Sequence, residues 1–325
     1  MNIAVTGASG HIGANLTRRL IADGNKVKVL LHKDKRAIKG LPLEIINGSL
    51  NDFRSIEELG KNADVVFHLA ARISIGQNNY ETVYNTNVEG TKNIVKTCRK
   101  LGVPKFIHFS SIHTLDPNPF DQPLDETRPL IENSGLVYER TKAECEKWIT
   151  EQNSDNFHVV VLNPTAVLGP NDFKPSFMGQ FIIKLYKGTI PALVPGGYDW
   201  VDVRDVVDAA VNAIEKATPG ERYILSGGWK SFREIAKMFA QITGKKINLP
   251  VLPFSIVRLG LPFIHLYSKI KKEPDLFTAE SLKIVKSANR NIINAKSRKQ
   301  LGFKPKPLNE TLTDSLKWYK ENGFI

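Results

Sequence analysis

Two residues four positions apart carry the first chemical signal of the chain. Tyr138 and Lys142 lie in a helix-like segment, and residues at this spacing share one helix face with Cβ atoms roughly 5–6 Å apart. An ordinary tyrosine has a pKa of about 10, but a nearby ammonium favours the phenolate and lowers that pKa. The pair therefore predicts a phenol that exchanges a proton with a substrate oxygen, although this spacing is also common by chance.

Two hydroxyls close a strand-like run at Ser110 and Ser111. The carboxyl ends of strands in a doubly wound sheet face the ligand crevice. A hydroxyl there can donate a hydrogen bond to negative charge that develops on a substrate oxygen. The alternative is that both serines cap local backbone groups.

A glycine-rich loop over residues 6–13 follows the first strand-like run and opens the first helix-like run. Gly7 permits a tight turn, Gly10 lets the backbone approach a pyrophosphate, and Gly13 allows close helix–strand packing. The helix start adds unpaired N–H groups and the positive end of its dipole. The loop predicts a dinucleotide site formed by Gly7, Ser9, Gly10, His11, Ile12 and Gly13.

The end of the second strand-like run bears on cofactor choice. An acidic residue here suits the ribose 2′-hydroxyl of NAD, and a basic one suits the 2′-phosphate of NADP. The chain has His32, Lys33 and, further on, Arg36, so we expect NADP to be preferred. Asp34 in the same stretch keeps NAD open, and a solvated charged turn is the plain alternative.

Strand-like and helix-like runs alternate through the first 165 residues. The strand-like runs are short and almost continuously apolar, which is typical of strands buried on both faces of a parallel sheet. The fold class is therefore predicted to be α/β, with a doubly wound parallel sheet of the Rossmann type. The predicted strands are Asn2–Thr6, Lys26–Leu31, Leu43–Asn47, Val65–Leu69, Phe106–Ser110 and His158–Leu162.

The pattern changes after Leu168. We predict that residues 1–168 form the cofactor domain, that residues 199–217 return to it, and that residues 169–325 form a smaller substrate-binding part, mixed α/β and then helical. Ser231 and Glu234 have the spacing of a capping box, which predicts a helix that ends near Gly244. Asn309 is predicted to be the N-cap of the last helix.

Composition excludes several classes of protein. The chain has 325 residues, 42% of them apolar and 24% charged, as is ordinary for a soluble globular protein and not for a disordered one. Its two cysteines lack metal-ligand spacing, and no metal site is expected. The net charge of 45 − 33 = +12 comes without a nucleic-acid motif, so no nucleic-acid partner is expected. A strand-like start without a leader predicts a cytoplasmic protein.

An apolar segment at residues 251–268 is close to transmembrane length. Pro253, Arg258, Gly260, Pro262 and His265 interrupt it, so we expect no transmembrane span. A cover over a pocket, a subunit interface within a homodimer, or a shallow contact with a membrane surface remain open.

Several ordered motifs together resemble the extended short-chain dehydrogenase/reductases over essentially the whole chain. The closest resemblance is to the dihydroflavonol-reductase-like branch. The motifs are the loop at 6–13, HLAA at 68–71, NVEGT at 87–91, the two serines, the tyrosine and lysine, and NPTAVLGP at 163–170. LGF at 301–303 and WY at 318–319 are also similar to that branch.

The resemblance implies roles for individual residues. Tyr138 would be the acid/base, Lys142 would also hold the nicotinamide ribose, and Ser111 would polarise the carbonyl of a small-molecule substrate. Further cofactor contacts would come from Leu69, Ala70 and Ala71 in the cleft, Pro164 and Val167 near the nicotinamide, and Ser49 and Leu50 near the adenine. Ser49 stands where relatives commonly carry an aspartate.

Three functions remain open on this evidence: a carbonyl reductase, an epimerase of a sugar nucleotide or isoprenoid-linked sugar, and a non-catalytic NAD(P)-binding module. Sugar-nucleotide dehydratases usually carry Asp-Glu after the catalytic hydroxyl, where this chain has Ile112 and His113. His113 is either a second proton relay or a packing or capping residue.

Overall fold

The fold is taken from a computed structural model, which describes residues 1–73, 79–132, 134–271 and 278–325, without the side chains of 263, 264 and 266–271. The strands are β1 Asn2–Thr6, β2 Lys26–Leu31, β3 Glu44–Asn47, β4 Val65–His68, β5 Lys105–Phe109, β6 His158–Pro164, β7 Ala166–Leu168, β8 Gly197–Asp202, β9 Arg222–Leu225 and β10 Trp229–Ser231. The helices are α1 His11–Ala22, α2 Phe53–Gly60, α3 Tyr80–Tyr84, α4 Gly90–Lys100, α5 Val137–Thr150, α6 Phe177–Lys187, α7 Val203–Lys216, α8 Phe232–Thr243, α9 Phe254–Lys271, α10 Ala279–Ser287, α11 Ala295–Leu301 and α12 Leu308–Glu321.

Seven strands form one parallel sheet in the order β3-β2-β1-β4-β5-β6-β9. The order reverses between β1 and β4, and ligands of open α/β sheets bind in the crevice at such a switch point. The predicted doubly wound parallel sheet is confirmed. All six predicted strands are present, with ends shifted by at most two residues.

Helices cover both faces of this sheet. On one face α1 and α7 bury residues such as Leu16 and Val206 against Val5 of β1. On the other face α2, α4 and α5 bury residues such as Ile94 and Ile149 against the opposite side of the strands. Successive side chains of a strand point to opposite faces of the sheet. Because helices cover both faces, nearly every residue of these strands is apolar.

A second, three-stranded sheet has the order β10-β8-β7. It packs with α6, α8, α10 and α12 around a core of large apolar side chains that includes Trp200, Phe239 and Leu316. Strand β9 joins the main sheet from within the predicted substrate-binding part. The domain boundaries given above stay a prediction.

Local capping rules account for two helix boundaries and fail at a third. Ser231 and Glu234 form the predicted capping box, and α8 ends at Gly244 with a positive φ of 68°, as predicted. The predicted N-cap at Asn309 is wrong. Helix α12 already begins at Leu308 after Pro307, so Asn309 lies inside the first turn.

The apolar segment at 251–268 lies largely in α9, which continues through Pro262. Val257 is buried against the second core, whereas Ile256 and Leu259 are 51% and 78% exposed. The side chains of 263, 264 and 266–268 lie outside the described residues. Within the ranges that the structure describes, no helix is both long enough and apolar enough to cross a membrane. The role of the segment stays a prediction.

Candidate active site

The predicted site residues converge on one edge of the main sheet. Six positions follow, or close, the carboxyl end of a strand of this sheet, and these ends meet along the same edge. The positions are Gly7 after β1, His32 after β2, Ser49 after β3, Leu69 after β4, Ser111 after β5 and Pro164 at the end of β6. Tyr138 and Lys142 reach this edge from α5.

The glycine loop is shaped by close backbone approaches. Gly7 has a φ of +77°, and a Cβ added there would lie 2.6 Å from the main-chain nitrogen of Ala70. A Cβ at Gly13 would lie 2.1 Å from the carbonyl oxygen of Gly7. Gly10 differs because it is exposed and its Cβ would meet only the Gly7 carbonyl, at 3.3 Å. The backbone of the loop is therefore accessible to a ligand at Gly10.

The start of α1 fits the pyrophosphate of a dinucleotide. Its N-cap is Gly10, which has no side chain to cap the first turn, and the first turn holds no acidic residue. The first N–H groups of a helix have no intrahelical acceptor. Because no side chain caps them here, they suit an anion. The His11 side chain points elsewhere, because its Nε2 lies 3.0 Å from the carbonyl oxygen of Pro170. Contact of His11 with a cofactor stays a prediction.

The residues after β2 present positive charge. His32, Lys33 and Arg36 are exposed. Arg36 binds the carboxylate of Asp34 through an ion pair of 2.6 Å, and its hydrogen bonds hold the pKa of Asp34 below the ordinary value, with a further contribution from the charge of Lys174. The acid that kept NAD open is thus already paired with a cation.

The residues predicted to contact the adenine and to line the cleft differ in their exposure and make few hydrogen bonds that the structure describes. The Oγ of Ser49 accepts a hydrogen bond from the main chain of Asn51 at 3.3 Å, and Leu50 is buried. Leu69 and Ala70 are partly exposed and Ala71 is exposed. These residues line the same edge, and their contact with a cofactor stays a prediction.

Ser111 and Tyr138 meet in the structure. Burial raises the pKa of Tyr138, and a hydrogen bond with Ser111 lowers it in part, while the charge of Glu139 adds to the rise. The Oγ of Ser111 also accepts from the main-chain N–H of His113 at 3.2 Å. The hydroxyl of Ser111 therefore caps a local turn, and its hydrogen bond to a substrate oxygen stays a prediction.

The ammonium of Lys142 is fully buried next to the end of β5. Its Nζ donates to the carbonyl oxygen of Phe109 at 2.6 Å and lies 3.3 Å from Nε2 of His108. Burial lowers the pKa of this lysine. Since these described bonds go to β5, the lowering of the Tyr138 pKa by Lys142 stays a prediction.

A buried carboxylate beneath the site was missed from sequence. Glu146 accepts hydrogen bonds from Ser110 Oγ at 2.5 Å, Thr114 Oγ1 at 2.7 Å and Asn163 Nδ2 at 2.9 Å, and Arg222 Nε lies 3.1 Å away. This network fixes the turn that carries Ser111. A signal was present, since Glu146 continues the four-residue spacing from 138 to 142 along the inner face of α5.

A cavity of about 210 Å³ opens beside this constellation. Its wall includes Ile112 and Glu139, the residues that follow Ser111 and Tyr138, and it mixes apolar with polar side chains, among them His113, Ser134 and Lys283. Contact of a substrate in this cavity with the Tyr138 phenol and the Ser111 hydroxyl stays a prediction. In the part of the chain that the structure describes, no group of three His, Cys, Asp or Glu side chains is arranged to hold a metal ion.

Comparison with known proteins agrees with this arrangement. A model of the "NAD dependent epimerase/dehydratase family" matches residues 3–226. The chain belongs to this family. Over the whole length of both chains it is 32% identical to "Sterol demethylase protein B" of Methylococcus capsulatus. It is 29% identical to a "Putative dihydroflavonol 4-reductase" of Synechocystis, over 99% of this chain and 95% of that one.

Solved structures give the same picture. The crystal structure of gox2253 has a TM-score of 0.85 and 28% identity, covering 100% of this chain and 99% of that one. Other relatives in the NAD-dependent epimerase/dehydratase family are named as reductases or dehydrogenases. The chain is an NAD(P)-dependent oxidoreductase of this family. The predicted resemblance to the extended short-chain dehydrogenase/reductases and their dihydroflavonol-reductase-like branch is confirmed.

Proposed function

We propose that the protein is an NADP(H)-preferring carbonyl reductase. The observation that carries this proposal is the convergence of Ser111, at the end of β5, with Tyr138 and Lys142 of α5, whose Nζ donates to the carbonyl oxygen of Phe109 at 2.6 Å, at the carboxyl edge of a sheet whose first loop fits a dinucleotide pyrophosphate. When bound there, the nicotinamide supplies the hydride that adds to the carbonyl carbon. The chain itself has to bind, orient and protonate the substrate.

Each of the three catalytic side chains has a distinct role in the proposed reaction. The Tyr138 phenol gives its proton to the carbonyl oxygen as that oxygen gains charge. The Ser111 hydroxyl donates a hydrogen bond to the same oxygen and stabilises the developing negative charge. The Lys142 ammonium holds the nicotinamide ribose and stabilises the phenolate that remains. Leu69, Ala70, Ala71, Pro164 and Val167 line the cleft for the cofactor.

The preference for NADP(H) rests on the turn after β2. Four exposed basic residues lie there, namely His32, Lys33, Lys35 and Arg36, and its one acid is paired with Arg36. A 2′-phosphate would gain charge-assisted hydrogen bonds from this cluster, whereas a 2′-hydroxyl would need an acceptor that Arg36 already occupies. We place Ser49 and Leu50 beside the adenine.

The proposed substrate is a ketone or aldehyde of middle size with an apolar portion. The cavity lined by Ile112 and Glu139 contains both apolar and polar side chains. Relatives bear the names of a putative dihydroflavonol 4-reductase, a ketoreductase of a farnesyl-substituted oxo compound and a 2-alkyl-3-oxoalkanoate reductase. Both cysteines are buried free thiols, which suits a reducing compartment, and we place the protein in the cytoplasm.

The test is oxidation of NADPH and of NADH with a broad panel of carbonyl compounds. We expect turnover of at least one ketone or aldehyde, with a higher kcat/KM for NADPH than for NADH. Equal values for the two cofactors would remove the NADP preference. No turnover of any member of the panel would remove the reductase proposal.

An epimerase is the second candidate, since the UDP-glucose 4-epimerase of Thermotoga maritima shares the fold with a TM-score of 0.79 at 23% identity. An epimerase oxidises and re-reduces one carbon of its substrate. It therefore retains its cofactor and causes no net oxidation or reduction of that cofactor. Denaturing the purified protein and identifying any released nucleotide by mass separates the two. Tightly retained NAD would favour the epimerase.

A further inference from the structure

The first half of α9 exposes large apolar side chains. Ile256 and Leu259 are 51% and 78% exposed, and the value for Leu259 is the highest among the large apolar side chains that the structure describes. Pro262 is exposed as well, whereas Val257 is buried in the second core. A spacing of three residues places the exposed positions along one side of the helix. The outer side of α9 is therefore an apolar stripe.

Helix α10 packs beside α9 and adds positive charge. A Cβ added at Gly196 would lie 3.9 Å from Cζ of Phe254 on α9 and 2.4 Å from Cγ1 of Val285 on α10, so the two helices meet over this glycine. Val285 is buried. Lys283 and Lys286, three residues apart on α10, are exposed. The exposed side of α10 therefore carries two cations next to α9.

The exposed sides of these two helices have few negative charges. Arg258 is exposed between the two large apolar residues of α9. The sequences of α9 and α10 contain one acidic residue, Glu280, and it is half-buried. We refer to the exposed residues as the α9–α10 face, which consists of Ile256, Arg258, Leu259, Pro262, Lys283 and Lys286. It combines an apolar stripe with three cations.

The α9–α10 face borders the mouth of the cavity. Lys283 and Phe120 both line the cavity, and Phe120 is 51% exposed. Asn289, which follows α10, donates to the carbonyl oxygens of Pro117 and Gln122 at 3.4 and 3.3 Å. These bonds hold the loop of Phe120 against the end of α10. The cavity wall therefore reaches the surface beside the α9–α10 face.

Charge distinguishes between two possible occupants of this face. In a twofold dimer the same patch of both copies would meet, and three cations of one copy would approach those of the other, where like charges repel. An anionic lipid surface fits both features of the face. Apolar side chains enter the boundary between head groups and acyl chains, while Lys and Arg side chains are attracted to the lipid charges.

We propose that the α9–α10 face binds the surface of an anionic lipid bilayer. Ile256 and Leu259 insert below the head groups, and the three cations lie at the lipid phosphates. In this orientation the mouth of the cavity lies beside the lipid. Lipid binding does not depend on the proposed reaction, so it is measured without a substrate and stands or falls separately from the reductase.

The test is cosedimentation of the protein with vesicles of phosphatidylcholine alone or with about 30% phosphatidylglycerol. We expect binding to the anionic vesicles to exceed binding to the neutral ones by at least about tenfold. It should fall steeply between about 0.1 M and about 0.5 M salt, because salt screens exposed charges. Equal binding to both kinds of vesicle, or binding to neither, would overturn the proposal.

A fluorescent label reports whether the face itself enters the lipid. Both native cysteines are buried, so Leu259→Cys supplies one exposed thiol for an environment-sensitive dye. Ile45→Cys is the matched control, since Ile45 on β3 is 42% exposed. We expect anionic vesicles to shift the emission to the blue at position 259 and not at position 45. No shift at position 259 would overturn the proposal, and so would a shift that appears without lipid as the protein concentration rises, which would identify a second copy.

Substitutions should separate the contribution of charge from that of apolar contact. Arg258→Gln/Lys286→Gln should weaken binding to anionic vesicles on the order of 20-fold, since each Lys or Arg near such a surface contributes about fivefold. Leu259→Ser should weaken it by about tenfold through lost apolar contact. The substituted side chains are exposed, so the melting temperature should change little.

The controls remove the same groups from the main sheet. Lys26→Gln/Lys61→Gln removes two exposed cations, from the start of β2 and the end of α2, and Ile45→Ser removes one exposed apolar side chain. These variants should bind anionic vesicles like the wild type. Equal weakening by the controls and by the variants of the α9–α10 face would mean that the vesicles respond to the overall charge of +12, and this result would overturn the proposal.

Discussion

Lys142 and His108 share a hydrogen bond beneath the active site, with Nζ 3.3 Å from Nε2. To accept from an ammonium, Nε2 must be unprotonated, which assigns the imidazole proton to Nδ1; that atom is buried and has no hydrogen-bond partner among the described residues. An ammonium has three donors, and a second one is taken by Phe109. One N–H therefore remains for another acceptor, and we expect His108 to act as a positioning residue for the lysine.

Replacement of His108 by phenylalanine should weaken the charged form of Lys142. Burial lowers the pKa of Lys142, so this lysine loses its proton at a lower pH than an exposed lysine does. A hydrogen bond to a charged group contributes about 1.5–3 kcal/mol, and about 1.4 kcal/mol corresponds to one pKa unit. We expect the alkaline limb of kcat/KM to move down by roughly one pH unit in His108→Phe.

His108→Gln is the control for that shift, because its amide oxygen restores an acceptor and the limb should move back. A merely structural role of His108 would predict something else. In that case His108→Phe would lose activity by the same factor at every pH, and the glutamine variant would behave no better.

The contrast between the cofactor half and the polar layer beneath the site shows how far sequence reasoning reaches. The loop at Gly7, the strand ends and the Tyr138–Lys142 spacing follow from local rules, because turn geometry and helix periodicity depend on neighbouring residues. The roles of His108 and Glu146 were missed, since their partners are 17 to 76 residues away in sequence and only the tertiary fold brings them together. Asn309 failed because proline at 307 set the helix start first.

The ionisation of Tyr138 should respond in opposite directions to its two neighbours. Glu139 raises the pKa of Tyr138 and Ser111 lowers it. Glu139→Gln should therefore lower the tyrosine pKa, and Ser111→Ala should raise it. Ultraviolet difference titration of each protein against its own Tyr138→Phe counterpart isolates this one phenol. Shifts of the same sign in both variants would contradict the described contacts.

Alanine substitutions at two glycines of the loop should have different effects, one on stability and one on cofactor affinity. At Gly7 an alanine side chain would strike the Ala70 backbone at a positive φ, so Gly7→Ala should destabilise the fold. At Gly10 the added methyl needs only a small shift of the Gly7 carbonyl but projects toward the proposed pyrophosphate. Gly10→Ala should keep its melting temperature within a few degrees and lose NADPH affinity by about tenfold or more, about 1.4 kcal/mol. Unchanged affinity in Gly10→Ala would place the phosphates elsewhere.

Acid should destabilise the fold through a buried histidine. Burial lowers the pKa of His68 from 6.5 to about 3, while its ring nitrogens contact Thr6 at 2.7 Å and Thr91 at 2.8 Å. Between these two pH values the unfolded chain binds one more proton at this site, so stability falls as the pH decreases below about 6.5 by up to about 1.4 kcal/mol per unit. Urea unfolding of His68→Gln across this range should show a slope smaller by one proton. An unchanged slope would mean that His68 is charged in the folded protein.

The most direct measurement of the central claim is the rate of NADPH oxidation by Tyr138→Phe with a ketone that the wild type reduces, beside a titration of NADPH binding to both proteins. We expect kcat to fall by about 100- to 10,000-fold, the usual contribution of a positioned proton donor, while the dissociation constant for NADPH changes by less than about threefold. A phenylalanine variant that turns over at the wild-type rate would contradict the assignment of Tyr138 as the proton donor and, with it, the proposed reductase mechanism.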